Sequence, residues 1–318
     1  MDELIKLINS QDGVVTRKQA LRFLSPDALD HRLGRSWKVL LPGTYAAAPI
    51  ATGERQRLRA ALLFAGAGSM LSDTSALGLL GLPFVPVDDK VRVLVPDACK
   101  RASREFVVIR RSIRLPVPVI AGGLPVAPIH RALCELGSRH VAERESLAVF
   151  AAAVQRRLVS VAELLVEAHA GPARGRTRLL RVIAPLAAGI RSAPEADFRD
   201  LVKTSRVLPT PLWNPLIELP DGRRFSPDAL FTGAGLVHET NGRAYHAPNE
   251  HGDDLFEDMQ RRNDALVSAG LVVLHNSPRR IASEPSVVRH EVEQSCRRYE
   301  GRGLPTGVRI IRDGPEAA

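Results

Sequence analysis

The chain has 318 residues, 45% of them hydrophobic, and a formal net charge of +9, which is enough for two or three domains with ample core. Only 4% of residues are aromatic, and Cys99, Cys134 and Cys296 lie far apart with no Cys-x-x-Cys; this weighs against a single-strand stacking platform, a zinc module and a disulfide framework, and fits a reducing cytoplasm. The charge is uneven: residues 1–190 carry 27 Lys and Arg against 16 Asp and Glu, whereas residues 191–318 carry 17 against 19. A basic first part points to a polyanionic partner, most often nucleic acid; the plain alternative is the Arg-rich coding of a GC-rich genome.

The N-terminus, Met1-Asp-Glu-Leu-Ile-Lys6, lacks the basic start and long apolar run of a signal peptide. No apolar run approaches the ~18–20 residues that span a bilayer. A cytoplasmic protein with no membrane partner is therefore expected. Residues 2–10 read as a short amphipathic helix ended by Gly13, and Val14-Val15 as a short extended piece. Thr16 is a good N-cap for a second helix through Leu24. Ser25 caps a third, with Pro26 in its first turn, running to about Arg35 and exposing His31, Arg32 and Arg35. Trp37–Leu41, Pro42-Gly43 and Thr44-Tyr45 then read as a β-hairpin. Three short helices plus a hairpin wing predict a winged helix-turn-helix over residues 1–50, whose last helix can enter the major groove. The plain alternative is a small helical cap with a hairpin.

Residues 51–127 are expected to form a small α/β domain. They hold an Arg- and Ala-rich helix over 54–66 and β-branched strands over Lys90–Pro96 and Phe106–Arg111. Arg101, Arg104, Arg110, Arg111 and Arg114 cluster here, either to grip phosphates or as a solvated face. Pro116, Pro118 and Gly122-Gly123 mark a loop. Residues 128–190 read as a helical connecting region, with helices over 128–137, 140–157, 160–169 and 174–187.

The last segment, 191–318, carries the chemistry. Ser192-Ala-Pro-Glu195 opens a helix through about Lys203. Strands follow over Leu212–Leu219, Arg223–Phe231 and Leu236–Asn241, then a helix over Asp253–Ala269 and a strand over Leu271–Asn276. A helix over Pro285–Tyr299 and a strand over Val308–Ile311 close the chain. Helix, three strands, helix, strand is the core order of the PD-(D/E)xK nuclease fold. Asp228 of Ser226-Pro-Asp228 lies eleven positions before Glu239, with the turn Thr232-Gly-Ala-Gly235 between them. A tight hairpin of this kind brings two carboxylates side by side, and two carboxylates at one sheet edge can hold a divalent metal. The fold expectation is thus an α+β multidomain protein, with an N-terminal winged helix-turn-helix, a central α/β and helical region and a C-terminal restriction-endonuclease-like αβββαβ domain.

Two resemblances sharpen this reading. Val14–Ala20 and Leu40–Tyr45 resemble the winged-helix domain of AbiEi-type (type IV) antitoxin-like regulators, over about the first fifty residues. Ser192-x-x-Glu195, Pro227-Asp228, Glu239-x-Asn-Gly242, Tyr245-His246, Asp258 with Arg262, and Leu266 with Gly270–Leu274 resemble the very-short-patch-repair (Vsr)-like branch of the PD-(D/E)xK superfamily. The second resemblance implies that Asp228 and Glu239, with the Thr240 carbonyl, bind Mg²⁺ (or Mn²⁺). It implies that Glu195 completes or orients the site and that His246 acts as acid or base. It also implies that Arg262 and Asp258 lean on the DNA backbone or the metal ligands. Plainer roles stand beside these: Ser192-x-x-Glu195 as a capping box, His246 as a surface residue, and Asp258 with Arg262 as an i,i+4 ion pair. Asp253, Asp254 and Glu257 read as solvated acids at a helix N-terminus. The third superfamily position, usually Lys and in this branch often Asp, is Asn241, which can bind a water but cannot carry charge. Candidate nucleic-acid contacts are Arg32, Arg35, Lys38, Arg110, Arg111 and Arg262.

Two functions follow as expectations. One is a DNA endonuclease cutting double-stranded DNA; the other is an antitoxin-like transcriptional regulator with a degenerate nuclease domain and a cognate toxin protein as partner. An RNA-directed nuclease is a third, lesser reading.

Overall fold

A computed structural model describes residues 2–33, 35–47, 53–139, 141–240 and 252–312, with the side chains of 252–256 left aside. The chain is α+β and divides into two compact units, Met1–Arg181 and Val182–Ala318. No helix among the described residues is long and apolar enough to cross a membrane.

The first unit opens with α1 (Asp2–Ser10), β1 (Val14–Thr16), α2 (Arg17–Ala20), α3 (Pro26–Arg32), β2 (Lys38–Leu41) and β3 (Thr44–Ala46). Thr16 caps α2 through a reciprocal box with Gln19, and Ser25 caps α3. Both helices are shorter than the sequence suggests, α3 ending three residues before Arg35. The extended Val14-Val15 piece pairs with β3, so the hairpin is a three-stranded sheet in the order β1-β3-β2. Its core is Leu4, Val15, Leu29, Trp37 and Tyr45.

The unit continues with α4 (Glu54–Ala65), β4 (Met70–Leu71), α5 (Asp73–Leu79), β5 (Val91–Pro96), β6 (Val107–Ser112), β7 (Val119–Ala121) and β8 (Leu124–Val126). The five strands form one sheet in the order β6-β5-β4-β8-β7. The expected Pro/Gly loop is partly a hairpin. Gly122 and Gly123, at φ +54° and +74°, supply the two positive-φ positions that a tight two-residue turn needs between β7 and β8. Helices α6 (Ile129–Gly137), α7 (Glu143–Gln155) and α8 (Val161–Ala170) follow, and α9 (Arg176–Ala187) begins in this unit and ends in the next.

The arginines of this region are largely engaged inside the fold. Arg110 reaches buried Glu135 at 2.6 Å, and Arg131 bridges Glu135 at 2.8 Å and Glu167 at 3.1 Å. Arg114 also pairs with Glu167. Arg111 donates to the Cys99 carbonyl at 2.6 Å and to that of Arg101 at 2.8 Å. Burial raises the Glu135 carboxyl above its usual range, against the pull of Arg110 and Arg131.

The second unit holds α10 (Ala193–Thr204), β9 (Leu212–Trp213), β10 (Leu216–Glu218), β11 (Arg224–Phe225), β12 (Ala229–Phe231), β13 (Leu236–Thr240), α11 (Gly252–Ser268), β14 (Val272–Asn276), α12 (Pro278–Ser283), α13 (Pro285–Arg298) and β15 (Arg309–Arg312). Two expected strands are each broken in two, and their halves serve different sheets. One sheet runs β14-β13-β12-β9, and the other β11-β10-β15. The breaks fall at Asn214-Pro215 and Ser226-Pro227, where proline removes a ladder donor and Asn214 adopts φ +49°. Phe198, Ile281, Val288 and Val292 pack on one face of the four-stranded sheet. Leu230, Val237, Ala265 and Leu266 pack on the other, with Ile217 and Val308.

His238 lies wholly inside this core. Its ring stacks on Phe198, with centroids 3.5 Å apart, and its Nε2 donates to Asn276 Oδ1 at 2.9 Å. Burial pushes its pKa down to about 3. The unfolded imidazole takes up a proton near 6.5, so stability should fall as pH drops from there toward 3. Unfolding free energies from urea melts at pH 7 to 4 should therefore decline more steeply for the wild type than for His238→Phe, by a difference on the order of 3 kcal/mol. Parallel declines would assign the acid sensitivity elsewhere.

Candidate functional site

An acidic cluster sits at one end of the β12–β13 hairpin. Continuing the Ala229↔His238 register by one residue sets Asp228 beside Glu239. Alternation puts both on the α11 face, in line with Leu230 and Val237. The Asp228 carboxylate accepts the Thr240 N–H at 2.7 Å. Within a strand, the amide and carbonyl of one residue face the same neighbour, so the Thr240 carbonyl also turns toward β12.

Glu195 comes from the first turn of α10 and is buried. Its carboxylate accepts the Ser192 hydroxyl at 2.8 Å and the Arg191 N–H at 2.9 Å, while Ser192 Oγ accepts the Glu195 N–H at 3.3 Å. The helix-cap role is therefore real. The same carboxylate also lies close enough to raise the pKa of both Asp228 and Glu239, so Glu195 belongs to the cluster as well.

The link between α10 and the hairpin is Asn214, which the sequence reading places in mid-strand without a role. Its Nδ2 donates to Glu195 Oε2 at 3.0 Å and to the Gly189 carbonyl at 2.9 Å. Its backbone N–H donates to the Asp228 carbonyl at 3.0 Å, and its own carbonyl accepts the Ser226 hydroxyl at 3.1 Å. The signal for it was the Asn214-Pro215 pair, a turn initiator that also tolerates positive φ.

Arg262 supplies the positive charge. Its Nη2 donates to Glu239 Oε1 at 2.8 Å and to the Ser226 carbonyl at 2.8 Å, and its guanidinium lies 5.6 Å from the Phe225 ring centre. The expected Asp258–Arg262 ion pair does not form. Asp258 pairs instead with Arg261 at 3.2 Å, and Arg261 also takes Glu257 at 2.6 Å. Arg262 faces the sheet, and its neighbour serves the exposed acids.

His275, opposite Glu239 in the β13–β14 register, was also missed. Its Nε2 lies 3.0 Å from Asn263 Oδ1, and burial, then nearby Arg262, lower its pKa. Asn241 and His246 lie outside the described residues. Arg32, Arg35 and Lys38 are in the first unit: Arg32 donates to the Ala28 carbonyl at 2.9 Å, Arg35 lies 3.3 Å from His31, and Lys38 is exposed.

Electrostatics set the character of the cluster. Burial, with Glu195 and Glu239 nearby, pushes the Asp228 carboxyl up to about 8, against the Thr240 N–H and Arg262. Burial also raises Glu239, opposed by Arg262. Among the described residues, the buried Asn214 Oδ1 and Thr240 Oγ1 of the same region have no hydrogen-bond partner. Hard carboxylate oxygens that resist ionising together, with spare oxygens beside them, suit a divalent cation in their donor chemistry. Among the described residues, no three Asp, Glu, His or Cys side chains are arranged to hold an ion as they stand. Magnesium commonly takes only one or two carboxylates, its other ligands being water and substrate phosphate.

No family model and no curated protein matches the chain. Among solved structures, the crystal structure of the RV2827C protein from Mycobacterium tuberculosis is similar over 61% of this chain and 78% of that one, with 19% identity and a TM-score of 0.42. A likeness at that level carries no argument about function.

Two outcomes test this geometry. The unfolded Asp228 carboxyl ionises near 3.8 and the folded one near 8, so its contribution to stability should fall as pH rises through that window. Asp228→Asn should then raise the metal-free melting temperature at pH 8 by several degrees and change it little at pH 4. An equal shift at both pH values would remove the charge explanation. Asn214→Ala should cost roughly 3 kcal/mol, through a lost bond to a buried carboxylate and αL strain. Asn214→Gly should cost about 1 kcal/mol less because it avoids the strain; equal losses in denaturant melts would rule out a backbone role.

Proposed function

We propose that the second unit is a metal-dependent DNA endonuclease domain and that the first unit carries duplex binding. The observation behind this is the convergence of Asp228, Glu239 and Glu195 at one end of a hairpin, where burial and the acidic neighbours push the Asp228 carboxyl up. The order of elements and the resemblance of residues 192–280 to Vsr-like nucleases support the same reading. Asp228 and Glu239 would hold Mg²⁺ or Mn²⁺, with the Thr240 carbonyl beside them. When bound, such an ion supplies Lewis acidity that polarises a phosphodiester and acidifies water.

The chain's own residues have distinct parts in this reading. The Thr240 N–H and the Asn214–Asp228 backbone bond fix the Asp228 carboxylate. Glu195 stays anchored by its cap and by Asn214, so it orients the cluster and adds negative charge without leaving α10. Arg262 holds Glu239 in place and can offer other N–H groups to a phosphate. Asn241 and His246 take their roles of water binding and proton transfer from the resemblance alone.

Two observations favour the second reading, an antitoxin-like DNA-binding regulator with a silent nuclease domain and a toxin partner. Arg262 already neutralises Glu239 at 2.8 Å, and the third motif position is the uncharged Asn241. In the endonuclease reading, purified protein nicks supercoiled DNA with Mg²⁺ or Mn²⁺, and Asp228→Ala lowers the rate at least ~100-fold with duplex affinity unchanged. If the wild type binds a specific duplex yet cuts no DNA with either metal, the regulator reading replaces the enzyme.

A further inference from the structure

The first unit contains a surface groove of about 460 Å³ that no reading above uses. One side is α2 and the turn after it, which contribute Lys18 and Arg22; the other is α4, which contributes Arg59. The floor is apolar, from Leu62, Leu63 and Pro125. None of the residues lining the groove is acidic. Arg59 is engaged with Asp12 at 2.9 Å. Lys18 and Arg22 are exposed and form no ion pair or side-chain hydrogen bond among the described residues.

The expected reading surface compares poorly. Helix α3 exposes Asp27 and Asp30 beside its basic residues. One Arg32 nitrogen is used by its own helix, and Arg35 leans on His31. Arg110 and Arg111, the other expected contacts, are engaged by Glu135 and by loop carbonyls. A polyanion is drawn to unpaired cations and repelled by exposed carboxylates. From this contrast we infer that duplex DNA lays its phosphate backbone along the α2–α4 groove, gripped by Lys18 and Arg22, and not along α3. The inference rests on the reading of the first unit as a duplex-binding unit and names the surface that does it.

Fluorescence anisotropy of the full-length protein on a labelled duplex, repeated over a salt series, tests it. Lys18→Ala/Arg22→Ala should raise Kd on the order of tenfold at low salt and flatten the log–log salt slope by about 1.8, the share of two phosphate contacts. Ala67→Glu keeps both cations but sets a carboxylate in the groove, and it should weaken binding as well. Arg32→Ala/Arg35→Ala/Lys38→Ala should change Kd less than about twofold. All altered side chains lie at or near the surface, and unchanged melting curves confirm folding. If the α3 triple variant loses binding while the groove variants keep wild-type affinity and slope, the groove is not the contact surface. Equal losses in both sets overturn its primacy. If the wild type binds no duplex at low salt, duplex binding itself fails, and the groove assignment goes with it.

Discussion

Three carboxylates crowd one end of a sheet with Arg262 beside them, and the second unit is arranged around that imbalance. Two close, buried like charges cannot both ionise without a compensating cation. Arg262 neutralises Glu239, and the α10 cap and Asn214 satisfy Glu195. For Asp228 the described residues supply the Thr240 N–H, and burial beside its acidic neighbours pushes its carboxyl up. Each of these three solutions uses a group that also builds the fold. The site and the scaffold therefore cannot be varied independently: loosening Asn214 disturbs a helix cap, a strand break and a carboxylate together.

The first unit handles its buried acids differently. Glu135, Glu167 and Asp73 are each matched by at least one arginine within ion-pair distance. Breaking one member of such a pair leaves a buried charge uncompensated, which costs more than the pair contributes. The basic surplus of residues 1–190 is accordingly smaller in effect than in count, because several arginines face inward. What remains for a partner is the exposed minority, and its position matters more than its total.

Much of this was legible in the residues. The capping signals at Thr16, Ser25 and Ser192 each start a helix where expected, because a side-chain oxygen at that position satisfies an otherwise orphan N–H. The Asp228–Glu239 proximity followed from a turn of small residues between two apolar runs. Less legible was anything set by tertiary context. Met70-Leu71 is too short to show a period, and a glycine pair between prolines reads as loop whether or not it turns a hairpin. The strand breaks at Pro215 and Pro227 were visible as prolines, but not as points where one strand passes between two sheets. Arg262 chose Glu239 over Asp258 because of which side of α11 faces the sheet, and exposed acids on the far side left Asp258 to Arg261.

The four-stranded sheet mixes two kinds of neighbour, and this bears on how the unit folds. Strands β12 and β13 are antiparallel and joined by the four-residue turn Thr232–Gly235, whereas β13 and β14 are parallel and need α11 as a crossover. Short hairpins close within microseconds, while non-local parallel pairing is slow because a long loop must close first. Asp228 and Glu239 are accordingly expected to meet before Arg262 docks with α11. In that interval the nascent hairpin carries two adjacent acids and no arginine, so its lifetime should lengthen in mildly acidic solution. On that order of assembly, the acid pair would oppose closure of its own hairpin before it takes part in any chemistry of the complete domain.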